Sequence, residues 1–261
     1  MRLSGLAATF DTMAEGYDAA RPGYPDALFA DLAGIAGLGP GSRVLEIGAG
    51  TGQATRGLLA RGWRVRALEP GPALAAVLRR NLGDHPALEV VEATFEEDEP
   101  DEPVDLVVAA TAWHWLDPAT AYGRAATLLR PGGSLAVIAT EHVLPADGDL
   151  FFRDVEELYD EVGLGDGKGG PQPPDSIEPP QQEALRSSTS FDEPVVRRYV
   201  QGVDYTADAY VAVLETYSGH IAASPEQRER LFAGIRQRIA ARPEGLVRKH
   251  YLNLLQVARR R

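Results

Sequence analysis

The 261-residue chain contains no cysteine, and this absence excludes several kinds of chemistry. Disulfide bonds, iron–sulfur clusters, thiolate zinc sites and a nucleophilic cysteine all need a thiol side chain. Positive charge is also scarce, because 26 Lys and Arg stand against 38 Asp and Glu, which gives a formal net charge of −12. A chain with so few cations cannot offer a basic stripe to phosphates, so we expect no nucleic-acid partner.

Long hydrophobic runs are missing as well. No stretch approaches the roughly 20 apolar residues that span a bilayer, so we expect no membrane association. The opening residues MRLSGLAATFDTM lack the basic-then-apolar pattern of a secretory signal. We therefore expect a cytoplasmic protein, a monomer or a homodimer, whose 44% apolar and 25% charged residues are typical of globular proteins.

Short apolar runs alternate with helical patterns in the first half of the chain. The runs that predict strands are Arg43–Ile47, Trp63–Leu68, Leu88–Val91, Asp105–Ala110 and Ser134–Ala139. The helical patterns between them are Gln53–Arg61, Pro72–Leu82 and Pro118–Leu129. Several runs are apolar at consecutive positions, as in parallel strands that are buried on both faces. The repeated order of strand, helix and strand predicts an α/β doubly wound parallel sheet.

The flanking segments differ from this core. Residues 1–40 predict one or two helices, and residues 163–182 are rich in Gly and Pro, which indicates a loop. Val195–Val203 resembles a strand, and helical patterns follow at Thr206–Ala222 and Pro225–Ala241. Periodicity alone leaves Gly245–Val257 open between a strand and a helix.

Three alternate glycines follow the first predicted strand and precede a helix. Gly48, Gly50 and Gly52 allow a tight turn and a closer ligand approach than any Cβ would permit. Glu69 ends the second predicted strand, 17 residues after Gly52, where an acid can accept hydrogen bonds from ribose hydroxyls. The sequence therefore predicts a nucleoside site at the carboxyl ends of the strands.

The glycine spacing does not fit a dinucleotide fingerprint, because Gln53 stands where G-x-G-x-x-G needs its third glycine. The G-x-G-x-G pattern with Glu46 before it instead resembles the first motif of the class I S-adenosylmethionine-dependent methyltransferases. Further segments resemble that family in its order. They are Glu69 as the ribose acid, Ala93-Thr94-Phe95 beside the adenine, and Leu129–Leu135 as the "LxPGG" turn.

Two more segments resemble the small-molecule branch of the family, the methyltransferase type 11 and trans-aconitate methyltransferase-like group. They are Phe10-Asp11…Tyr17-Asp18…Arg21-Pro22-Gly23-Tyr24-Pro25 and Ala112-Trp113-His114-Trp115-Leu116-Asp117. The resemblance implies a Rossmann-like, seven-stranded sheet whose last strand, placed at Val247–Val257, is antiparallel. It also implies N-terminal helices over 1–40, a cofactor-binding core over 41–141, a helical cap with the sixth strand over 142–243, and the final strand within 244–261.

The family resemblance assigns S-adenosylmethionine as the cofactor and a role to each matching residue. The methionine part of the cofactor is assigned to Gly48, Ala49, Gly50, Gly52, Ala110 and Thr111. The ribose is assigned to Glu69 and the adenine to Ala93, Thr94 and Phe95, and Pro70 is a further cofactor-binding candidate. Glu46 is a candidate for the ammonium of the cofactor, Arg21 for its carboxylate, and Tyr17 for closing over the pocket.

Two assignments stay open at this point. Arg21 could instead cap a helix or pair with Asp18. His114 is a candidate catalytic base at the ligand edge of the sheet, but a structural histidine between two packed tryptophans explains the same residues. The other four histidines show no i, i+4 pair, so we expect no metal site, and we expect the acidic run 96–102 to be a solvated loop.

The leading functional hypothesis is an S-adenosylmethionine-dependent methyltransferase that acts on a small-molecule acceptor, such as a metabolite with a carboxylate or a hydroxyl. An alternative is a non-catalytic S-adenosylmethionine-binding protein, because methyl transfer needs little dedicated catalytic chemistry from the protein. A nicotinamide-dependent oxidoreductase on the same fold is less favoured, because of the mismatch at Gln53.

Overall fold

The computed structural model describes Gly16, Asp18, residues 20–165, Gly167 and residues 169–261. Its strands are β1 (Arg43–Ile47), β2 (Arg64–Leu68), β3 (Leu88–Val91), β4 (Val104–Ala110), β5 (Leu129–Val143), β6 (Val195–Thr206) and β7 (Leu246–Arg259). They form one seven-stranded sheet in the order β3-β2-β1-β4-β5-β7-β6. Phe10, Asp11 and Tyr17 of the predicted N-terminal signature lie outside the described residues.

The direction of the strands confirms the fold class. β1 pairs in parallel with β2 and β4, and β4 pairs in parallel with β5. β7 is antiparallel to both of its neighbours, β5 and β6. The segment that periodicity left open is therefore a strand, as the family resemblance implied.

Helices cover both faces of the sheet. The helices of the first half are α1 (Asp26–Ala36), α2 (Gln53–Ala60), α3 (Pro72–Leu82) and α4 (Pro118–Leu128). Leu32 of α1 and Leu58 of α2 belong to the apolar cluster on one face, together with Trp63. Ala125 of α4 packs on the opposite face with Leu45 of β1. Because both faces are covered, β1 is buried along almost its whole length, which explains why its neighbouring residues Val44 and Leu45 are both apolar.

A second hydrophobic core forms late in the chain. The helices there are α5 (Phe151–Asp154), α6 (Glu156–Glu161), α7 (Gln182–Ser187), α8 (Ala207–Glu215), α9 (Ser218–Ala222) and α10 (Pro225–Ala240). Phe152, Val213 and Ile235 are buried against Val247 and Tyr251 of β7. α8 and α10 therefore pack over the β7 end of the sheet. In the part of the chain described, no helix combines the length and the apolarity that crossing a membrane requires.

Three sequence predictions fail in detail. A single helix over 206–222 is wrong, because α8 ends at Glu215 and α9 begins at Ser218. β5 begins at Leu129 rather than at Ser134, because a register irregularity opposite Val104 and Leu106 keeps the Pro-Gly-Gly turn within the strand. The acidic run is not fully solvated, because Asp98 is only 4% exposed and its carboxylate accepts hydrogen bonds from Arg66.

Candidate functional site

The turn between β1 and α2 requires glycine for steric reasons. Gly48, Gly50 and Gly52 have φ angles of 64°, 58° and 101°, in the left-handed region that disfavours other residues. A Cβ on Gly48 would lie 2.7 Å from the Cβ of Ala112, and one on Gly52 would lie 2.8 Å from Cδ1 of Leu78. The turn therefore brings bare backbone to the carboxyl edge of the sheet.

Glu69 follows β2 and is joined to this turn by hydrogen bonds. Its Oε2 accepts a hydrogen bond of 2.8 Å from the N–H of Gly50, and its Oε1 accepts one of 2.8 Å from the N–H of Gly71. The residue is only 5% exposed, and it lines the cavity at the edge of the sheet. A carboxylate accepts hydrogen bonds through both oxygens, so the two amides fix the orientation of this group at the cavity.

Glu46 of β1 is a second carboxylate at the same edge. It is 1% exposed, and its Oε2 accepts a hydrogen bond of 2.7 Å from Oγ1 of Thr55 on α2. Burial raises the pKa of Glu46 to about 8, with a further rise from the negative charge of Glu69, against the opposing hydrogen bond from Thr55. A ligand that brings positive charge close to Glu46 favours the ionised form.

The cavity has a volume of about 830 Å³ and lies at the carboxyl ends of the parallel strands. It is lined by the following residues that the sequence predicted: Arg21, Glu46, Gly48, Ala49, Gly50, Glu69, Pro70, Ala93, Thr94, Phe95, Ala110, Thr111 and His114. Gly52 does not line the cavity, because it caps the start of α2 and packs toward Leu78 and Leu82. Tyr17 lies outside the described residues, so its role stays a prediction.

The segments after β3 and β4 both line this cavity and contact each other. Phe95 is buried against Trp113, with ring centroids 6.3 Å apart, and its carbonyl accepts a hydrogen bond of 2.6 Å from Nε of Arg124. Thr111 has a φ angle of 54°, which is uncommon for a residue with a branched side chain. Its N–H donates a 2.8 Å hydrogen bond to the carbonyl of Ile138, which holds this conformation at the cavity wall.

Arg21 links the segment before α1 to the late helices. Its Nε donates a hydrogen bond of 2.9 Å to Oγ1 of Thr216, and its guanidinium carbon lies 4.4 Å from the centroid of the Tyr217 ring. Asp18, the alternative partner of Arg21 from the sequence, contacts Gln53, Asn81 and Arg56. Arg21 reaches the cavity, but its role toward a cofactor carboxylate stays a prediction.

His114 occupies a 3-10 turn, Trp113–Trp115, at the rim of the cavity. Trp113 is buried, but Trp115 is 47% exposed, so the histidine does not lie between two packed tryptophans. Within the described part of the chain, its imidazole forms no hydrogen bond, and its ring centroid lies 4.7 Å from that of Trp115. Partial desolvation lowers the pKa of His114 below its ordinary value, which leaves a neutral imidazole facing the cavity at neutral pH.

Several cavity residues were missed by sequence reasoning. They are Tyr24, Gln53, Leu74, Thr140, Glu141, Pro180, Gln181, Tyr217 and Ser218. The positive φ of Gln181, 64°, is invisible in the sequence, and no motif marks Tyr217. Among the residues described, no group of three or more His, Cys, Asp or Glu side chains is placed to hold a metal ion.

Comparison with known proteins identifies the family. A model described as "Methyltransferase domain" matches residues 45–137. An uncharacterised methyltransferase of Mycobacterium tuberculosis is 31% identical over 242 residues, which cover 91% of this chain and 88% of that protein. The chain is a class I S-adenosylmethionine-dependent methyltransferase. A relative from Mycobacterium bovis matches this methyltransferase with the same identity and coverage.

Solved structures share the fold of this methyltransferase. A proposed type II methyltransferase of Anaeromyxobacter dehalogenans superposes with a TM-score of 0.65 at 24% identity, over 92% of this chain and 97% of that one. The phosphoethanolamine N-methyltransferase 2 of Haemonchus contortus, in complex with phosphomonomethylethanolamine and S-adenosylhomocysteine, gives a TM-score of 0.51 at 17% identity. That match covers 95% of this chain and 57% of that one. Because the chain belongs to this methyltransferase family, S-adenosylmethionine is its cofactor, and the oxidoreductase alternative falls away.

Proposed function

We propose that this methyltransferase transfers the methyl group of S-adenosylmethionine to a small-molecule acceptor. The observation that supports a small acceptor is the volume of the cavity, because about 830 Å³ lies within the range of small-ligand pockets. The glycine turn forms one side of the cavity, and Gln181, Tyr217 and Ser218 contribute to another. These late residues therefore border the same cavity as the glycine turn and can contact the acceptor.

The residues at the sheet edge fit the cofactor. Glu69, held by two backbone amides, is oriented to accept hydrogen bonds from ribose hydroxyls. The positive φ angles of Gly48 and Gly50 expose bare backbone to the cavity, so the methionine part of the ligand can approach closely. Phe95 and Leu74 supply apolar surface for the adenine.

Two charged residues complete the proposed cofactor site. Glu46 supplies a buried negative charge that suits the positive end of the methionine, and Arg21 supplies a cation for its carboxylate. When bound, the cofactor supplies a methyl group on a positively charged sulfur, which a nucleophile displaces in line. The protein then needs mainly to align the acceptor and to exclude water.

The acceptor side of the cavity is built from the region that we assign to the substrate cap, residues 142–243, and from His114. The neutral imidazole of His114 can accept a hydrogen bond from an acceptor hydroxyl, which makes it our proposed catalytic residue on the β4 side. Thr140 and Glu141, at the end of β5, offer further polar contacts there. A metabolite with a hydroxyl or a carboxylate suits this set of groups.

The test is direct labelling. Purified protein is incubated with methyl-labelled S-adenosylmethionine and a panel of small carboxylic acids, phenols, alcohols and amines, and labelled product is measured by mass spectrometry. Transfer to a member of the panel that depends on Glu69 supports the proposal. Cofactor binding with no transfer to any small molecule, or transfer to a macromolecule alone, contradicts it.

A further inference from the structure

A buried cation lies beneath the late helices, behind the wall of the cavity. Lys249 on β7 is 1% exposed, and its Nζ donates a hydrogen bond of 3.1 Å to the hydroxyl of Tyr217. The same Nζ lies 5.6, 5.1 and 5.2 Å from the ring centroids of Tyr210, Tyr217 and Tyr251. Within the described residues it forms no ion pair with a carboxylate. Burial lowers the pKa of Lys249, whereas the charge of Tyr217 and the hydrogen bond to it oppose that shift, so the phenol oxygen and the aromatic faces stabilise the ammonium form.

Tyr217 stands between this cation and the cavity. It occupies the break between α8 and α9, it is half-buried, and it lines the cavity together with Ser218. Arg21 lies on the ring of Tyr217, at 4.4 Å from the centroid, and donates a hydrogen bond to the neighbouring Thr216. The phenol is thus flanked by two cations, one of which is fully buried.

The electrostatics of Tyr217 differ from those of the tyrosines around it. Burial by itself would raise the pKa of Tyr217, but the positive charges of Lys249 and Arg21 outweigh it, so this pKa lies below its ordinary value. The pKa of each of Tyr159, Tyr205, Tyr210 and Tyr251 is instead raised, chiefly by burial. Tyr217 is therefore the most acidic phenol of this group.

The titratable and charged groups around Tyr217 come from several elements. They are Arg21, Glu156, Tyr159, Tyr205, Tyr210, His220, Lys249 and Tyr251. Burial, followed by the charge of Lys249, lowers the pKa of His220 to about 4, so this histidine is neutral at physiological pH. Of these groups, Lys249 and then Arg21 act on Tyr217 through their positive charges, and both favour its phenolate form.

We propose that Tyr217 is a catalytic base, whose phenolate accepts the proton of the methyl acceptor, and that Lys249 is a positioning residue that stabilises this phenolate before the transfer. This inference rests on the proposed function. The proton moves from the acceptor heteroatom to the phenolate oxygen, the electron pair of the heteroatom forms the bond to the methyl carbon, and the pair of the broken carbon–sulfur bond stays on sulfur. The proton on Tyr217 then returns to solvent after the product leaves.

The chemistry of the two cavity groups favours Tyr217 over His114 for this step. An imidazole whose pKa is lowered is a weaker base than free imidazole. A phenolate is a stronger base, so it matches the hydroxyl of a phenol or alcohol better. Lys249 stabilises that phenolate by donating a hydrogen bond to its oxygen, and this interaction is strong because it lies in a buried, low-dielectric position.

The test begins with a measurement that needs no acceptor. The near-ultraviolet absorbance of phenolate is followed against pH in the folded wild type and in Tyr217→Phe, Lys249→Met and Tyr159→Phe. We expect one tyrosine of the wild type to ionise before the others, this early phase to vanish in Tyr217→Phe, and the phase to move to higher pH in Lys249→Met. Tyr159→Phe is the matched control, because it removes a half-buried tyrosine that contacts His220 and leaves the early phase in place.

An early phase that persists in Tyr217→Phe, or a wild type in which no tyrosine ionises early, overturns the proposal. Circular dichroism and cofactor binding verify that each variant is folded. Should Lys249→Met fail to fold, Lys249→Arg keeps the charge and is expected to keep the early phase.

Activity separates this inference from the proposed function. With an acceptor that the wild type methylates, Tyr217→Phe is expected to lower turnover by about 100-fold or more while cofactor affinity is retained. The wild-type rate should rise with pH over the range of the early phase. Unchanged turnover in Tyr217→Phe overturns the role of Tyr217 but leaves the methyltransferase activity standing, whereas a wild type that methylates no small molecule contradicts the proposed function itself.

Discussion

The carboxylate of Glu69 accepts a hydrogen bond of 2.8 Å from the backbone N–H of Gly50. This contact joins the acid after β2 to the glycine turn after β1, so the two motifs that we propose to bind the cofactor form one unit in the structure. The second oxygen of Glu69 accepts from Gly71, at the start of α3. Both oxygens are therefore held in place before any ligand arrives, which reduces the ordering cost of binding.

Replacing Glu69 by Ala is expected to weaken S-adenosylmethionine binding by about 1–3 kcal/mol, because ligand hydroxyls and the N–H of Gly50 lose their acceptor. Isothermal titration calorimetry measures this loss. Glu183→Ala is the matched control, since Glu183 is an exposed glutamate of α7 outside the cavity. An affinity of Glu69→Ala equal to that of the wild type would contradict the ribose assignment.

The raised pKa of the buried Glu46 predicts that the stability of the protein depends on pH. In the native protein without ligand, Glu46 keeps its proton up to a pKa of about 8, whereas in the unfolded chain it loses the proton near its ordinary value of 4.5. Between these values the native state binds more protons, so the contribution of Glu46 to the free energy of unfolding falls as the pH rises. Glu46→Gln is expected to remove this decline.

Denaturant unfolding at about pH 5 and about pH 8 measures the effect as the difference between wild type and variant. Buried histidines with lowered pKa values, such as His142, titrate in both proteins and cancel in that difference. Because positive charge on the ligand favours the ionised carboxylate, S-adenosylmethionine should also bind with release of a proton near neutral pH. Parallel stability curves for wild type and Glu46→Gln would contradict the raised pKa.

Most of the parallel core could be predicted because its signals are local. Consecutive apolar residues such as Leu106-Val107-Val108 indicate a strand buried on both faces, and the glycines after Ile47 indicate a turn against a ligand. The strand identity of Val247–Val257 was harder, because its burial is set by pairing with β5 and β6, both distant in sequence. Only the family resemblance resolved it.

The residues of the candidate site also differ in whether local sequence signals could predict them. Glu69 and the glycines could be predicted because motif spacing fixes them within one strand–turn–helix unit. Tyr217 and Lys249 could not, because their contact joins positions separated by 32 residues and depends on the break between α8 and α9. Neither a tyrosine in an amphipathic helix pattern nor a lysine in a strand pattern indicates burial, and tertiary packing alone brings them together.

We expect His114 to set the acid limb of the pH–rate profile and Tyr217 to set its rise at alkaline pH. His114 must be neutral to accept a hydrogen bond, so we expect activity to fall in acid, below the ordinary pKa of histidine. His114→Ala should lower turnover about tenfold or more, abolish this acid limb and keep the rise at alkaline pH. Steady-state rates against pH test this, with His85→Ala, an exposed histidine outside the cavity, as the control. Turnover and an acid limb that survive in His114→Ala would return His114 to a structural role.

Gly48 combines a backbone requirement with a close contact, and this predicts a large effect of a small substitution. In Gly48→Ala, the new methyl group would lie 2.7 Å from the Cβ of Ala112 while φ stays at 64°, so both strain and overpacking oppose it. We expect the free energy of unfolding to fall by about 2–4 kcal/mol. Gly123→Ala is the matched control, because Gly123 lies in α4 with open space around its Cβ position and should gain up to about 1 kcal/mol from better helix propensity. Denaturant titration of both variants compares them, and equal stabilities would show that the turn after β1 relaxes more easily than its geometry implies.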